Sequence, residues 1–203
     1  MAVDHLTVRI FLLARHGESL LNVSGLVNAD PARDQGLSPH GEEEARDLGR
    51  QLVGLQIDLV VTSRFPRTHR TAALALGRRE VPRLELPELD DVRIGELEGK
   101  TIAEYRAWKR GRPRSEPFPG GESLDDAAAR YAGAYRLLLS RPEQVVLVVC
   151  HEIPVRYAIN AAAGSDQLDR PVHDVRNAVP YIFDEHGLSA AAAGIARLSL
   201  SVA

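Results

Sequence analysis

The sequence has a single cysteine, Cys150, among its 203 residues, so it can form no intramolecular disulfide and offers no thiolate cluster for a metal. Long apolar runs are missing as well: no stretch approaches the about 18 uninterrupted apolar residues of a membrane-spanning helix. No apolar segment follows basic residues at the N-terminus, as a secretory signal would require. These absences exclude a disulfide-stabilised secreted domain, and we expect a cytoplasmic protein.

Lysine is scarce, and the charge balance is slightly acidic. Lys100 and Lys109 are the two lysines, so nearly all basic residues are arginines, and the formal net charge is −3. This balance does not suggest a general nucleic-acid binder, and any cationic site must therefore be local. A hydrophobic content of 44% with 26% charged residues indicates a globular chain, long enough to bury a sizeable core.

Apolar segments alternate with segments of helical periodicity along the chain. The composition predicts strands over residues 7–14, 57–62, 84–86, 145–149 and 181–184. Helices are predicted from a Ser38 cap to near residue 54, over about 67–76, from a Ser123 cap to about 140, up to about 163 after the fourth strand, and in the alanine-rich C-terminal segment. This alternation is typical of a three-layer α/β sandwich, a mostly parallel central sheet with helices on both faces. With no linker or internal repeat, we expect one domain over residues 1–203.

Three of the predicted strands end in residues that can do chemistry. Arg15 and His16 follow the first strand, residues 63–67 follow the second, and His151 follows the fourth. Open α/β sheets bind ligands at the carboxyl ends of their strands, so these side chains are expected to meet there. Arginine donates paired hydrogen bonds to phosphate oxygens, and neutral histidine is a competent nucleophile. The pattern predicts a phosphate site; a surface turn with an incidental histidine is the alternative for Arg15 and His16 taken alone.

The order of the short motifs resembles the histidine phosphatase superfamily, which includes cofactor-dependent phosphoglycerate mutases and many phosphatases. The matching motifs are Arg15-His16-Gly17-Glu18 with Asn22, Leu37-Ser38-x-x-Gly41, Ser63-x-x-x-Arg67-x-x-x-Thr71-Ala72, Gly95-x-x-Glu98-Gly99, Gly120-Gly121-Glu122-Ser123, and His151 after a late strand. They extend over nearly the whole chain. The resemblance implies the phosphoglycerate mutase-like form of the sandwich.

The resemblance also implies roles for individual residues. His16 would be the nucleophile that becomes phosphohistidine, and the residues that would bind the substrate are Arg15, Gly17, Asn22, Arg67 and His151. Elementary chemistry agrees, since phosphoryl transfer needs an in-line nucleophile and a cationic cradle for the equatorial oxygens. Neighbouring guanidinium groups should lower the pKa of His16 and keep it neutral at pH 7. No cofactor is then expected, and no metal site, because no His, Cys and carboxylate residues have metal-ligand spacing.

The general acid is left open by the sequence. The branch of the family with this layout has a Glu four residues before the glycine of the Gly-x-x-Glu-Gly segment, and Asp91 occupies that position here. Another branch uses the residue directly after the second histidine, which is Glu152, and Glu88 and Asp90 are further carboxylates nearby. We expect Asp91, provided that burial or the phosphate charge raises its pKa enough for it to donate a proton.

The expected activity is that of a metal-independent histidine acid phosphatase acting on phosphomonoesters. Its partner would be a small-molecule phosphate ester or a phosphate ion, with neither nucleic acid nor a membrane involved. A mutase-type phosphotransferase and a non-catalytic phospho-ligand binding module remain alternatives. The basic segment 106–114 either binds a second acidic group of the substrate or is a solvated helix face. The sequence leaves the natural substrate and the oligomeric state open, a homodimer included.

Overall fold

The computed structural model describes residues 8–200 and contains one five-stranded sheet. The strands are β1 (Ile10–Arg15), β2 (Leu59–Thr62), β3 (Arg83–Glu85), β4 (Val145–Cys150) and β5 (Tyr181–Asp184). Their spatial order is β3-β2-β4-β1-β5, in which β3, β2, β4 and β1 run parallel and β5 pairs antiparallel with β1 at one edge. The prediction of a mostly parallel sheet is confirmed.

The described residues form seven helices, of which five cover the two faces of this sheet. The seven helices are α1 (Leu20–Val23), α2 (Pro39–Gln51), α3 (Pro66–Leu76), α4 (Ile102–Lys109), α5 (Leu124–Leu139), α6 (Glu152–Ala162) and α7 (Glu185–Ser199). Helices α2 and α3 pack together over one apolar core, and α5, α6 and α7 cover a second, larger core. The structure therefore has the predicted three layers.

The central strands supply both cores because their side chains alternate between the two faces. In β1, Phe11 and Leu13 face the larger core, whereas Leu12 and Ala14 face the smaller one. The valine-rich β4 is almost wholly buried, as expected for a central parallel strand that is covered on both faces. This double burial explains why β4 is the most readily recognised strand in the sequence.

The element bounds differ from the predictions at several ends. Residue 7 of the predicted first strand lies outside the described residues, and β1 continues to Arg15. The predicted second strand begins two residues too early, because the Asp58 side chain instead accepts hydrogen bonds from the main-chain N–H groups of Gln144 and Val145. Helix α2 ends at Gln51 rather than near residue 54. Helix α4 covers the first part of the basic segment, and the rest is loop.

The topology brings the three chemically equipped strand ends to one edge of the sheet. Arg15 pairs in register with Cys150 across β1 and β4, so His16 and His151 follow at adjacent places. The main-chain N–H of His16 donates to the carbonyl of Cys150 at 2.9 Å, which extends this alignment by one residue. Between residues 8 and 200 there is no helix with the length and apolar character needed to cross a membrane.

Candidate active site

A cavity of about 540 Å³ opens at the carboxyl edge of the sheet. Its base is formed by Arg15, His16, Arg67 and Asp91, which come from three different parts of the chain. His151 lies fully buried beside this base, with its ring 5.4 Å from that of His16. The cavity base and the buried histidine beside it thus bring together all the residues for which a catalytic role is predicted.

His16 is buried, and one of its ring nitrogens faces the guanidinium of Arg67. Nδ1 of His16 lies 2.7 Å from the carbonyl oxygen of Gly17, and a carbonyl can only accept, so Nδ1 carries the proton. Nε2 therefore has a lone pair, which accepts a hydrogen bond from Nε of Arg67 at 3.0 Å. Burial lowers the pKa of His16 well below its usual value, and the charges of Arg67 and Arg15 lower it further. The pKa shift has the predicted direction, with burial as its largest cause.

The side chain of Arg67 is almost completely buried, and several neighbouring groups form hydrogen bonds with its guanidinium. Pro66 begins α3 after a three-residue loop that follows β2, which places Arg67 in the first turn of the helix at the sheet edge. Its Nη1 donates to Oδ1 of Asn28 at 2.5 Å and to Oδ2 of Asp34 at 3.2 Å. Its Nη2 donates to Nδ1 of His151 at 3.1 Å. These bonds fix the guanidinium plane against both histidines.

His151 is neutral in this arrangement. Because Arg67 can only donate, Nδ1 of His151 accepts, and Nε2 carries the proton that it shares with Oγ of Ser63 at 2.8 Å. Burial is the main cause that lowers the pKa of His151 well below its usual value, and the charge of Arg67 adds to it. The ring also packs edge-on against Phe65, with centroids 4.5 Å apart.

Arg15 completes the cationic base of the cavity. Its Nη1 donates to the carbonyl of Val175 at 3.0 Å and lies 3.1 Å from Oε2 of Glu152. Its Nε is buried and has no partner among the residues that the structure describes. The other oxygen of Glu152 accepts from Arg156 at 2.8 Å, so this carboxylate is paired with two guanidinium groups.

Asp91 is the carboxylate that lies beside both Arg67 and His151. Its Oδ2 is 3.7 Å from Nη2 of Arg67 and 3.7 Å from Nδ1 of His151. Burial raises the pKa of Asp91, and the charge of Arg67 acts in the opposite direction without cancelling the effect. The other candidates differ: Asp90 binds Arg64 by two short contacts, and Glu88 is exposed. Asp91 thus has the raised pKa that the sequence-based prediction sets as the condition for this residue.

The outer part of the cavity has apolar walls and a cationic rim. Ile102 and Tyr105 of α4 contribute to the walls, and Arg106, Lys109 and Arg110 contribute the charge. Burial lowers the pKa of Lys109, and the negative charge of Asp169 acts in the opposite direction without cancelling the effect. The first half of the basic segment 106–114 thus borders the cavity.

The remaining arginines of that segment turn away from the cavity. Arg112 lies over the ring of Trp108 at 4.6 Å, and Arg114 binds Asp125 at 2.9 Å. The sequence does not show which arginines of this segment face the cavity, because all of them lie in the same short basic stretch.

Comparison with known proteins identifies the family. A profile of the histidine phosphatase superfamily (branch 1) matches residues 11–189. The chain belongs to this superfamily. A 2,3-bisphosphoglycerate-dependent phosphoglycerate mutase of Methylobacterium radiotolerans is 35% identical over 195 residues, which cover 86% of this chain and 89% of that protein. The alpha-ribazole phosphatase of Shigella flexneri has the same fold, with a TM-score of 0.74 and 26% identity over 85% of this chain and 89% of that one.

A larger relative in the superfamily matches over one part of its length. The human 6-phosphofructo-2-kinase/fructose-2,6-bisphosphatase 4 is 34% identical over 193 residues, which cover 88% of this chain and 39% of that protein. The resemblance drawn from the motifs is therefore confirmed at the level of the family, and membership places this chain among enzymes. The relatives include both mutases and phosphatases.

Gly17 and Asn22, which are predicted to bind the substrate, make hydrogen bonds within this histidine phosphatase superfamily member. The N–H of Gly17 donates to Oγ1 of Thr71 at 3.0 Å, and a Cβ at this position would lie 2.3 Å from the carbonyl oxygen of Gly41. Gly17 thus allows the loop after β1 to approach the first turn of α2, and the predicted substrate contact finds no support in this geometry. Asn22 does line the cavity, while its Oδ1 accepts from the N–H of Ser19 at 3.1 Å.

The residues that hold Arg67 are not predicted by the sequence. Asn28 and Asp34 lie in the polar, irregular stretch 22–36, where composition indicates a loop and nothing more. The Asp34 side chain is 1% exposed, which is unusual for a carboxylate unless it is paired. A general rule could have indicated that such residues exist: a buried arginine needs hydrogen-bond acceptors close to it. This rule does not say which residues they are.

Proposed function

We propose that the chain is a phosphomonoester phosphatase that works through a phosphohistidine at Nε2 of His16. The observation that carries this proposal is the neutral, buried imidazole, whose Nδ1–H is bound by Gly17 while Nε2 faces the cationic base of the cavity. Arg15, Arg67 and His151 surround the place where the phosphoryl group would lie. The free Nε of Arg15 supports the proposal, because a buried donor without a partner suits an incoming anion.

The reaction would take place in two displacements. In the first, a phosphoryl oxygen replaces Nε2 of His16 as the acceptor for the Nε–H of Arg67, and Nε2 attacks phosphorus in line. The P–N bond forms as the P–O bond breaks, and Asp91 gives its proton to the leaving oxygen. In the second, the Asp91 carboxylate takes a proton from water, whose oxygen attacks phosphorus, releases phosphate and restores His16. Each donor to the phosphoryl oxygens is worth about 3 kcal/mol of the barrier.

Asp91 is the better candidate for the acid than Glu152. Asp91 has a pKa that burial raises, and it lies beside the two side chains that would hold the phosphoryl group. Glu152 is bound by Arg15 and Arg156, and such pairing stabilises the ionised form of a carboxylate. We propose that Glu152 serves to hold Arg15.

The deciding experiment measures hydrolysis of p-nitrophenyl phosphate in the presence of EDTA. We expect turnover without metal and its loss in His16→Ala, together with a phosphorylated protein intermediate that is labile in acid and stable in alkali. His40→Ala is the matched control, since His40 is an exposed histidine on α2. Turnover that survives in His16→Ala would refute the proposal.

The second candidate is a mutase-type phosphotransferase, which the 35% identical mutase relative and the cationic rim favour. A mutase has to retain a bisphosphorylated intermediate and exclude water while the substrate turns round. Here Arg106 and Arg110 of the rim are exposed, so we expect water to be the usual acceptor. The test follows 2-phosphoglycerate and free phosphate from 3-phosphoglycerate, with and without 2,3-bisphosphoglycerate. Bisphosphoglycerate-dependent isomerisation faster than phosphate release would overturn the phosphatase assignment.

A phospho-ligand binding module without turnover is the remaining alternative, and binding without hydrolysis across a broad panel of esters would support it.

We further propose that residues 1–203 form one domain, since a single sheet takes strands from residue 10 to residue 184. We also propose a cytoplasmic protein that needs no metal; its buried lone thiol, Cys150, fits a reducing compartment.

A further inference from the structure

The loop that carries Asp91 is bound through its main chain by one side chain of α5. We call residues 86–94 the acid loop. Arg130 donates from Nη1 to the carbonyl oxygens of Glu88 and Asp90, both at 2.9 Å, and from Nη2 to the carbonyl oxygen of Asp91 at 3.2 Å. A single guanidinium therefore fixes three carbonyl groups within four consecutive residues.

Glu122 connects this guanidinium to the end of the acid loop. Its carboxylate is almost completely buried, and it accepts from Nη2 of Arg130 at 2.5 Å. It also accepts from the main-chain N–H of Arg93 at 3.0 Å and from Nη2 of Arg93 at 2.8 Å. Because a buried carboxylate must be paired, these bonds together define one geometry for the loop.

Glycines allow the loop to lie directly on the segment that carries Glu122. A Cβ at Gly121 would lie 2.2 Å from the carbonyl oxygen of Arg93, and a Cβ at Gly95 would lie 2.0 Å from that of Pro119. Gly95 also has a positive φ of 54°. The Gly-Gly-Glu-Ser motif at residues 120–123 thus has a physical explanation: close backbone contact, then a buried carboxylate, then the cap of α5.

The carboxyl group of Asp91 is held weakly by its own contacts. Its Oδ1 accepts from the adjacent N–H of Val92, and Oδ2 lies 3.7 Å from Arg67 and His151, beyond hydrogen-bond distance. Its place in the cavity is therefore set by the main chain of the loop. We propose that Arg130 and Glu122 are positioning residues, which hold the acid loop so that Asp91 reaches the leaving oxygen. This inference rests on the proposed function.

The test compares two phosphate esters in the variants Arg130→Lys and Glu122→Gln. β-Glycerophosphate has a poor leaving group and needs the acid, whereas p-nitrophenyl phosphate hardly needs it. We expect kcat for β-glycerophosphate to fall by about 10- to 100-fold, because displacement of a catalytic group by about 1 Å is this costly. We expect a change of less than about 3-fold for p-nitrophenyl phosphate, since little acid catalysis is lost there.

Two further measurements separate positioning from general structural damage. In an Asp91→Asn background, Arg130→Lys should cause no additional loss with β-glycerophosphate, because the group that it positions is gone. Arg136→Lys is the matched control, an exposed arginine on the same helix, and should behave as the wild type. Equal losses on both esters, or losses that add to that of Asp91→Asn, would overturn the inference.

The outcome is distinguishable from a failure of the proposed function. If His16→Ala retains turnover, the phosphatase mechanism itself is wrong. If Asp91→Asn slows both esters equally, the acid is misassigned, and the positioning inference fails with it. If Asp91→Asn discriminates between the esters and both Arg130→Lys and Glu122→Gln do not, the positioning inference alone is wrong.

Discussion

The base and the rim of the cavity are built in different ways. At the base, His16, Arg67 and His151 are almost fully buried, and their ring and guanidinium nitrogens are bonded to one another or to neighbouring groups. At the rim, α4 has no fully buried residue, and Arg106 and Arg110 are exposed. The hydrogen bonds at the base hold one arrangement, which suits a group of fixed shape such as phosphoryl, whereas the exposed arginines of the rim are in contact with solvent.

The same contrast holds for the electrostatics. Charges at the buried base act in a low-dielectric setting, where each is worth several times its value in water. On the rim, Arg106 and Arg110 are exposed and Lys109 is half-buried, so salt screens the exposed charges over about 8 Å at physiological ionic strength. Substitutions at the base should therefore change the chemical step, and substitutions at the rim should change substrate preference.

Removal of the guanidinium at the base should have the largest effect. Arg67→Ala should lower kcat for p-nitrophenyl phosphate by about 100- to 1,000-fold, by analogy with the loss of an oxyanion-hole donor. It also leaves the buried Asp34 without its cationic partner, so thermal unfolding should be recorded in parallel.

Arg70→Ala is the control for Arg67→Ala, because Arg70 lies on the same helix but binds Glu42 at the surface. It should keep the wild-type kcat. A loss for Arg67→Ala no greater than that for Arg70→Ala would contradict the distinction between buried base and exposed surface.

The pH dependence of kcat/KM should report the two shifted groups at the base. Burial lowers the pKa of His16, so the neutral nucleophile persists as the pH falls below 6.5, the usual value for histidine. Burial raises the pKa of Asp91, so the acid form is lost only as the pH rises through that raised value. We therefore expect an optimum on the acid side, with a decline toward alkaline pH that is set by Asp91.

Asp91→Asn should abolish that alkaline decline and lower kcat/KM for β-glycerophosphate by about 100-fold, the lower end for general acid catalysis. Glu152→Gln is the matched carboxylate control, and it should retain the alkaline decline. If Glu152→Gln loses the decline and Asp91→Asn keeps it, the acid is Glu152.

Packing at the base should tolerate no added atom. In Gly17→Ala the new Cβ would lie 2.3 Å from the carbonyl oxygen of Gly41, a backbone group that cannot turn aside. We expect the free energy of unfolding to fall by about 1–3 kcal/mol, as for other overpacked sites, measured by urea denaturation.

Gly133→Ala is the matched control for Gly17→Ala. Gly133 lies within α5, and a Cβ added there would have no neighbour within 4 Å outside the helix's own backbone, so alanine should raise the free energy of unfolding by about 0.5–1 kcal/mol. If Gly17→Ala is as stable as Gly133→Ala, the close approach of Gly17 to Gly41 does not constrain the fold.

The sequence was informative where burial enforces a pattern. The valine run of β4 and the alternation in β1 require a covered sheet, and strand ends of that sheet carry Arg15, His16 and His151. The helix caps at Ser38 and Ser123 could also be predicted, because the first turn of a helix favours a side chain that accepts hydrogen bonds from its free N–H groups. These features depend on residues that are close together in the sequence, and they can therefore be predicted from it.

What the sequence could not supply were contacts between distant segments. Asn28 and Asp34 reach Arg67 across more than thirty residues, and Arg130 reaches the acid loop across about forty. No local periodicity records such contacts. Gly17 shows the converse case, because the resemblance implied a substrate contact there, whereas in the structure Gly17 lies against the main chain of Gly41. The sequence also left open which arginines of the segment 106–114 form the rim, because the residue type alone does not show what surrounds a side chain.

Neutralisation of the rim should have the smallest effect and a selective one. Lys109→Gln should change kcat/KM for p-nitrophenyl phosphate by less than about 3-fold, because exposed or partly exposed charge pairs are worth about 1 kcal/mol or less. For 3-phosphoglycerate, whose carboxylate can reach the rim, KM should rise by about 3- to 5-fold, and this difference should shrink at high salt. Arg112→Gln is the control, since Arg112 lies over Trp108 and does not line the cavity. An equal change in KM for both esters would mean that the rim acts on the phosphoryl group itself, and base and rim would then be one site.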